Sequence, residues 1–460
     1  MTAVSSSGDD TVRATIAKQR ANTELGLLLL AVLITLVAYT LVGLAEEAAL
    51  PAGLAAYGGV LLAVAGAAHV VSRRRAPGGD PILLPLAFLL NGLGLVMIRR
   101  FDFAFAARGT DTTLAQQQTV WTVVAVGAFC LTLLVIRDHR VLDRYRYVIG
   151  FAAIVLLLLP LLPVIGREIN GARIWLRFAG LSFQPGELAK IGLAVFFASY
   201  LAENRQLLSV ATNKLGPFMV PPARAFGPVV VVWLASLSVL VLQNDLGLSL
   251  LLFGMFVLLL YTATGRPAYL LGSTALFGAG AWLAYQLFSH VRPRVDIWLD
   301  PFADFAGAGY QLVQSLFALG TGGLFGVGWG QGRPDFIPFV HTDFIFSAFG
   351  EELGLVGTTA LLLCYLLIVG RGLRTALRVR DDFGTLLAAC LVIVFALQTF
   401  VILGGVTRLI PLSGMTLPFV SYGGSSLLSN YILIALLVRI SAAEHTTVAA
   451  REPIQAGDAG

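Results

Sequence analysis

Long apolar runs, separated by short clusters of charge, glycine and proline, recur along almost the whole chain. Each approaches or exceeds the roughly 20 residues a helix needs to cross a bilayer core. The pattern predicts about twelve transmembrane helices, over 25–45, 53–72, 82–98, 118–136, 146–166, 186–203, 226–243, 246–263, 268–289, 344–370, 384–406 and 416–440. The two runs around Gln243 to Gly247 are short and read equally as one broken helix. The expected fold is all-α: a polytopic integral membrane protein of 10–12 helices.

Composition agrees with that reading. The chain is 57% hydrophobic and 12% charged, with a mean hydropathy of +0.83, too apolar for a soluble domain. Cys130, Cys364 and Cys390 fall inside apolar runs without CxxC spacing, so neither a disulfide framework nor a zinc site is indicated. HExxH, GxSxG and Walker patterns are absent, which argues against zinc peptidase, serine hydrolase and nucleotide-cradling readings. No internal repeat of motifs stands out, a point against an inverted-repeat transporter.

The net charge of +5 needs no nucleic acid, because its distribution follows topology. With the N-terminus placed in the cytoplasm, 20 lysines and arginines fall on that side and 10 on the other, with Lys190 left inside a span. By the positive-inside rule both termini are cytoplasmic and the long polar stretch 290–343 is a large extracytoplasmic loop. The expected organisation is an N-tail over 1–24, a transmembrane domain over 25–440 and a C-tail over 441–460. The N-tail and the stretch from Glu452 read as disordered by composition.

Three segments carry candidate chemistry. The first is NGARIWLR, 170–177, followed by FQPGELAK, 183–190. Pro185 suits a first helical turn, and Glu187 and Lys190 stand three apart on one face. Lys190 is the one lysine in an expected span, where a charge costs about 2.5–3.5 kcal/mol and demands a partner. The second is the loop around Asp300 and Asp304, running into GAGYQ at 307–311. Such exposed acids ordinarily serve solvation and turn chemistry. The third comprises a glycine-rich run over 320–332, then HTDFIF at 341–346 and GEELG at 350–354.

Between the last two apolar runs lies PLSGMTLPFVSYGGSSLLSN, 411–430. Broken backbone at membrane depth is tolerated only inside protein or along a wet cavity. This string closely resembles the C-terminal signature of the SEDS family of polytopic cell-wall polymerases, and the three segments above resemble that family's motifs as well. Gly186 stands where the family usually has serine. The resemblance covers about 145–440, and since ten helices are typical of the family, the excess is expected in the leading part, 25–140.

What the resemblance implies is polymerisation of lipid II, an undecaprenyl diphosphate-linked disaccharide pentapeptide, into peptidoglycan glycan strands. It assigns Asp304 the essential aspartate position and Asp300 a weaker one. Glu187 and Lys190 would line a central cavity, with Arg173, Trp175, Gln184, Arg294, His341, Asp343, Ser421, Tyr422 and Ser425 as further substrate contacts. The chemistry needs one base for the acceptor hydroxyl. It also needs Arg173, Lys190, Arg294 or a divalent cation, Mg or Mn, for the diphosphate charge. The expected partners are lipid II, membrane lipids and a class B penicillin-binding transpeptidase, with no organic cofactor and no nucleic acid. The short tail and HTDFIFSAFGEELG point to the family's elongation branch over its septal branch. A lipid II flippase is the rival, since Glu187, Lys190 and Asp245 would suit a carrier, yet a flippase needs no base in an outer loop.

Overall fold

The computed structural model describes residues 5–448 apart from 164, 170, 179–180, 210–212, 216–217, 221–222 and 290. Among the described residues the chain forms α1 (Ser5–Glu47), α2 (Leu54–Arg75), α3 (Leu83–Ala106), α4 (Leu114–Val135), the short α5 (Arg140–Arg144) and α6 (Arg146–Leu158). Then come α7 (Pro185–Ser209), α8 (Ala223–Leu242), α9 (Leu246–Thr264), α10 (Pro267–Leu287), α11 (Arg292–Leu299) and α12 (Tyr310–Gly322). The last three are α13 (Ile345–Arg378), α14 (Asp382–Val406) and α15 (Gly424–Val448). Eight of the described helices are long and apolar enough to cross a membrane: α1 from Ala17, α2, α3, α4, α9, α13, α14 and α15 to Ala443. The other four expected spans fall on the shorter α6 and α8, on the charge-bearing α7 and on α10. The protein is an all-α, multi-pass membrane protein.

Unlike in a soluble bundle, the flanks are apolar as well as the interior. Leu33, Val123, Leu271, Trp282 and Leu366 lie exposed on the flanks, where hydrocarbon is the solvent. The enclosed helices are α3, α14 and α15, which carry most of the continuous core together with α7 and α9. α1 packs on α3 and α2, α4 on α15, α6 on α7, and α14 on α7, α9 and α13. α10 buries no side chain and leans on α9.

Several boundaries depart from expectation for physical reasons. α1 is helical from Ser5, well before the apolar run, and its buried Glu24 is held by Arg73 and, at 2.8 Å, by His69 of α2. The expected 146–166 span stops at a 3-10 turn over Leu159–Leu161, after which the chain forms a small antiparallel meander. Its strands are β1 (Gly166–Ile169), β2 (Ala172–Phe178) and β3 (Leu181–Phe183). A hairpin of β4 (Asn213–Leu215) and β5 (Phe218–Val220) follows α7. The stretch 290–343 is no simple loop, since it holds α11 and α12, the latter packed on α13. The last span starts at Gly424 rather than 416, leaving an irregular strap over 407–423. The C-tail from 449 onward lies outside the described residues.

α13 is two helices in one. Gly354 breaks it with φ of 65°. The backbone of the glycine-rich loop enters there: a Cβ on Gly354 would sit 2.3 Å from the nitrogen of Gly326. Leu355 and Val356 then donate to the carbonyls of Gly323 and Leu324 at 2.9 and 3.1 Å. Gly354→Ala therefore combines a left-handed backbone penalty of about 1–2 kcal/mol with a clash, and the melting midpoint in detergent should drop by several degrees. Gly370→Ala on the same helix meets nothing within 4 Å and should hold or raise it. Equal behaviour of the two variants would show that the break at Gly354 is not a structural requirement.

Candidate functional site

Pro185 opens α7, as a residue without an N–H can, and the helix then carries Glu187 and Lys190 on one face. Lys190 is 1% exposed. Its Nζ donates to Glu187 Oε2 at 2.5 Å and to Gln398 Oε1 of α14 at 2.6 Å. Ser429 of α15 donates to the same Glu187 oxygen at 2.9 Å. Gln398 spends its amide nitrogen on the carbonyl of Thr416 in the strap, at 3.0 Å. The buried charge is thus paired and hydrogen-bonded, the one condition under which such a charge is tolerable in an apolar interior.

The strap is satisfied in the same manner along its length. Ser421 accepts from Leu417 N at 2.9 Å and donates to the carbonyl of Thr342 at 2.6 Å. Tyr422 donates its N–H to the carbonyl of His341 at 2.8 Å and its hydroxyl to Gln117 of α4 at 2.6 Å. Gln118 takes the N–H of Gly423 at 3.2 Å and returns a bond to the carbonyl of Ser421 at 3.3 Å. Ser425, at the start of α15, accepts from Gln184 N at 2.8 Å, and Gln184 reaches Asp245 Oδ2 at 3.4 Å. Trp121 lies against Gly424 so closely that a Cβ there would meet the ring at 2.0 Å.

A charged layer borders this network. Arg294 of α11 donates to the carbonyl of Leu412 in the strap at 3.0 Å. Asp245 caps α9 by accepting from Leu248 N at 2.9 Å. Desolvation pushes its carboxyl up to about 6, opposed by the Leu248 N–H, with Glu187 adding to the rise and Arg294 opposing it. Asp343, just before α13, is likewise pushed up to about 6 by desolvation, against a Thr342 hydrogen bond and Arg294. His341 stands edge-on between Phe105 and Tyr422, and burial lowers its pKa, favouring the neutral ring.

Asp304 is different in kind. It is exposed, in the turn that leads into α12. Its Oδ2 accepts from Ala308 N at 2.8 Å, and its carbonyl accepts from the N–H groups of Gly307 and Gly309. Among the described residues no hydrogen bond or ion pair is recorded to Oδ1. A Cβ at Gly307 would lie 2.4 Å from the carboxylate, which would have to turn aside to admit it. Asp300 ends α11, and its Oδ1 accepts from Phe302 N at 3.1 Å. α11 is itself tied to the strap, through Trp298 Nε1 to the carbonyl of Arg408 at 3.2 Å and Arg408 Nε back to Trp298 at 2.8 Å.

The structure therefore joins Gln184, Glu187, Lys190, Arg294, His341, Asp343, Ser421, Tyr422 and Ser425 around one strap. It does not bring Asp304 or Asp300 into contact with Lys190. Arg173 and Trp175 sit on one face of β2, and Arg173 is anchored by its backbone N–H to the carbonyl of Gln243 at 3.1 Å. Sequence reasoning passed over Gln398, Thr416, Ser429, Gln117 and Gln118. The available signal was an amide inside an apolar span, which calls for a partner as a charge does. The GEELG segment serves the glycine-rich loop: Glu352 accepts from Gly330 N and from Arg100 Nε, each at 3.0 Å, and Glu351 accepts from Arg333 N at 3.0 Å. Among the described residues no three His, Cys, Asp or Glu side chains converge as a metal site would require.

Comparison with known proteins places this arrangement. Residues 81–446 match the family model FtsW/RodA/SpoVE, described as cell cycle protein. The chain is 50% identical over 424 residues, 92% of its length and 90% of the relative's, to the peptidoglycan glycosyltransferase RodA of Mycobacterium tuberculosis. It is 34% identical over 79% of its length and 94% of the relative's to a probable peptidoglycan glycosyltransferase FtsW of Geobacter metallireducens. A structure titled for coordination of polymerization and crosslinking by a peptidoglycan synthase complex covers 80% of this chain and 98% of its own, at 28% identity and a TM-score of 0.63. The crystal structure of Thermus thermophilus RodA covers 79% of this chain and 96% of its own, at 28% identity and a TM-score of 0.56.

The buried pair yields a stability test. Lys190→Met leaves Glu187 enclosed without its cation and should cost about 3–5 kcal/mol. Lys190→Met combined with Glu187→Leu removes both charges and should recover a large part of that loss. Denaturant titration of purified protein in detergent measures both. A double variant that loses as much as the two single changes added together would show that the pair is not coupled.

Proposed function

The chain belongs to the FtsW/RodA/SpoVE family, and from that premise we infer that it is a peptidoglycan glycosyltransferase polymerising lipid II into glycan strands during wall elongation. Support for the elongation role is the 50% identity to RodA over 92% of the chain, against 34% to FtsW over 79%. Its residues suit that reaction. A sugar diphosphate leaves as an anion, so the demand on the protein is a base at the acceptor hydroxyl and cations at the departing diphosphate.

The observation that carries the site is the free Oδ1 of Asp304 on a turn hung from the same strap that organises the buried polar layer. Asp304 is the base for the acceptor hydroxyl. Its backbone amide contacts hold one oxygen and leave the other to take a proton. Arg294, half-buried and already touching the strap, is better placed for the diphosphate than Lys190, which offers no surface. Lys190 acts from beneath, fixing the strap through Gln398 and adding positive potential. The flippase alternative leaves this exposed carboxylate without a task.

A divalent cation at the diphosphate belongs to the same proposal. Magnesium commonly takes one or two carboxylates, with substrate oxygens and water completing its shell, so no closed protein cage is required. The partner is a transpeptidase of the class B penicillin-binding type, a reading supported by the neighbouring structure of a synthase complex in which polymerization and crosslinking are coordinated. Both termini are cytoplasmic and 290–343 is external. The 20-to-10 charge bias supports this.

Asp304→Asn keeps shape but cannot accept the proton, so glycan ladders from labelled lipid II should fall by about 10²–10⁴-fold while lipid II binding persists. Asp300→Asn should be milder. Polymerisation by Asp304→Asn at the parent rate would remove the catalytic assignment. Topology is tested separately in a background lacking Cys130, Cys364 and Cys390. A membrane-impermeant maleimide should label Ala308→Cys in intact cells and spare Arg380→Cys, both exposed positions. Labelling of Arg380→Cys alone would reverse the orientation.

A further inference from the structure

A polar cleft opens at the end of the bundle opposite the strap, where α13 and α15 finish and the link from α2 to α3 passes. Arg20 of α1, Asp80 of the link, Arg371, Arg374 and Arg378 of α13, and Ser441 of α15 line it. Among the described residues Asp80 is the one acidic side chain in that lining. It is committed to Arg371, whose Nη2 lies 2.5 Å and Nε 2.7 Å from its Oδ2, and its N–H is fixed by Ser441 Oγ at 2.9 Å. The side chain of Arg20 donates to the carbonyl of Gly78. Among the described residues no ion pair is recorded for Arg374. Arg374 adds its guanidinium beside Arg20, Arg371 and Arg378, and a tetrahedral anion with several acceptor oxygens suits such a group through bidentate contacts.

The surroundings indicate where such an anion comes from. Leu373 and Leu377, on the same helix as these arginines, are 43% and 86% exposed. A soluble phosphate has no use for that apolar flank, whereas an acyl chain does. We propose that the cleft binds the phosphate of an anionic phospholipid headgroup, with its acyl chains lying along Leu373 and Leu377. The proposal rests on the multi-pass membrane reading and not on the reaction. Basic pockets at this depth, on the side given as cytoplasmic above, are suited to such headgroups. Arg20 gives the site a further role. α1 and α2 precede the family match at 81–446, so a lipid held jointly by Arg20 and α13 fastens these added helices to the family domain.

Native mass spectrometry of the full chain in detergent tests this directly, with phosphatidylglycerol compared against phosphatidylcholine. The parent protein should retain phosphatidylglycerol preferentially. Arg374→Gln with Arg378→Gln, both exposed, should weaken that retention by about ten-fold or more, while Arg137→Gln with Arg144→Gln should not. Equal retention by the Arg374/Arg378 variant, or no headgroup preference in the parent, would overturn the proposal. Glycerol phosphate binding as well as the lipid would assign the cleft to a soluble phosphate and overturn the lipid source. Size-exclusion profiles of both variants establish that folding is retained, and lipid II polymerisation assayed in parallel reports on the reaction independently.

Discussion

Irregular backbone has to be hydrogen-bonded somewhere, and at bilayer depth water does not supply the partners. The strap over 407–423 is where this constraint governs the protein. Gln398, Gln118, Ser421 and Tyr365 are spent on its backbone groups, the last by donating to Pro418 O at 2.7 Å. Two of those side chains are also tied elsewhere: Gln398 accepts from the buried lysine, and Ser421 donates to the segment before α13. The polar layer at the centre of the molecule is therefore a consequence of having broken a helix. Its charges and amides satisfy one another, and an apolar substitution at any of them exposes an unpaired group to a medium that cannot solvate it.

This arrangement separates two kinds of residue in the proposed site. Lys190 and Glu187 are rigid, enclosed and positional. Asp304 is exposed, held by one oxygen and open at the other. The two sets meet through α11, which is locked to Arg408 and Leu412 by four hydrogen bonds involving Arg294, Trp298 and Arg408. Reactive groups on a loop, positioned by a scaffold of packed helices, is the division of labour expected of a catalytic site.

The sequence was a good guide to helices because hydrocarbon imposes length and apolarity on every span. All twelve expected runs fall on helices, and Pro185 begins one. It was a poorer guide wherever tertiary partners decide. Glu24 extends the first helix inward because Arg73 and His69 wait for it, which composition near the N-terminus does not reveal. Gly424 rather than Met415 or Thr416 starts the last helix, since the preceding residues find hydrogen bonds outside the helix. The left-handed backbone of Gly354 is evident only once the loop at 323–326 enters the break. The cluster at Glu187 and Lys190 was legible from its i,i+3 spacing. Its third and fourth members, Gln398 and Ser429, lie more than 200 residues away, and a single sequence carries no spacing rule over that distance.

α10 buries no side chain, leans on α9, and exposes Leu271, Trp282 and Leu287 along its length. With no side chain buried against protein, it adds little to the packed core. A helix of that kind parts from its neighbours in a sub-global opening that leaves the rest of the bundle intact. The layer lined by Asp245 and Arg294 sits between α9 and α11, the two helices that flank it in sequence. α10 thus presents its apolar residues to acyl chains, and its exchange is with lipid rather than with the packed core.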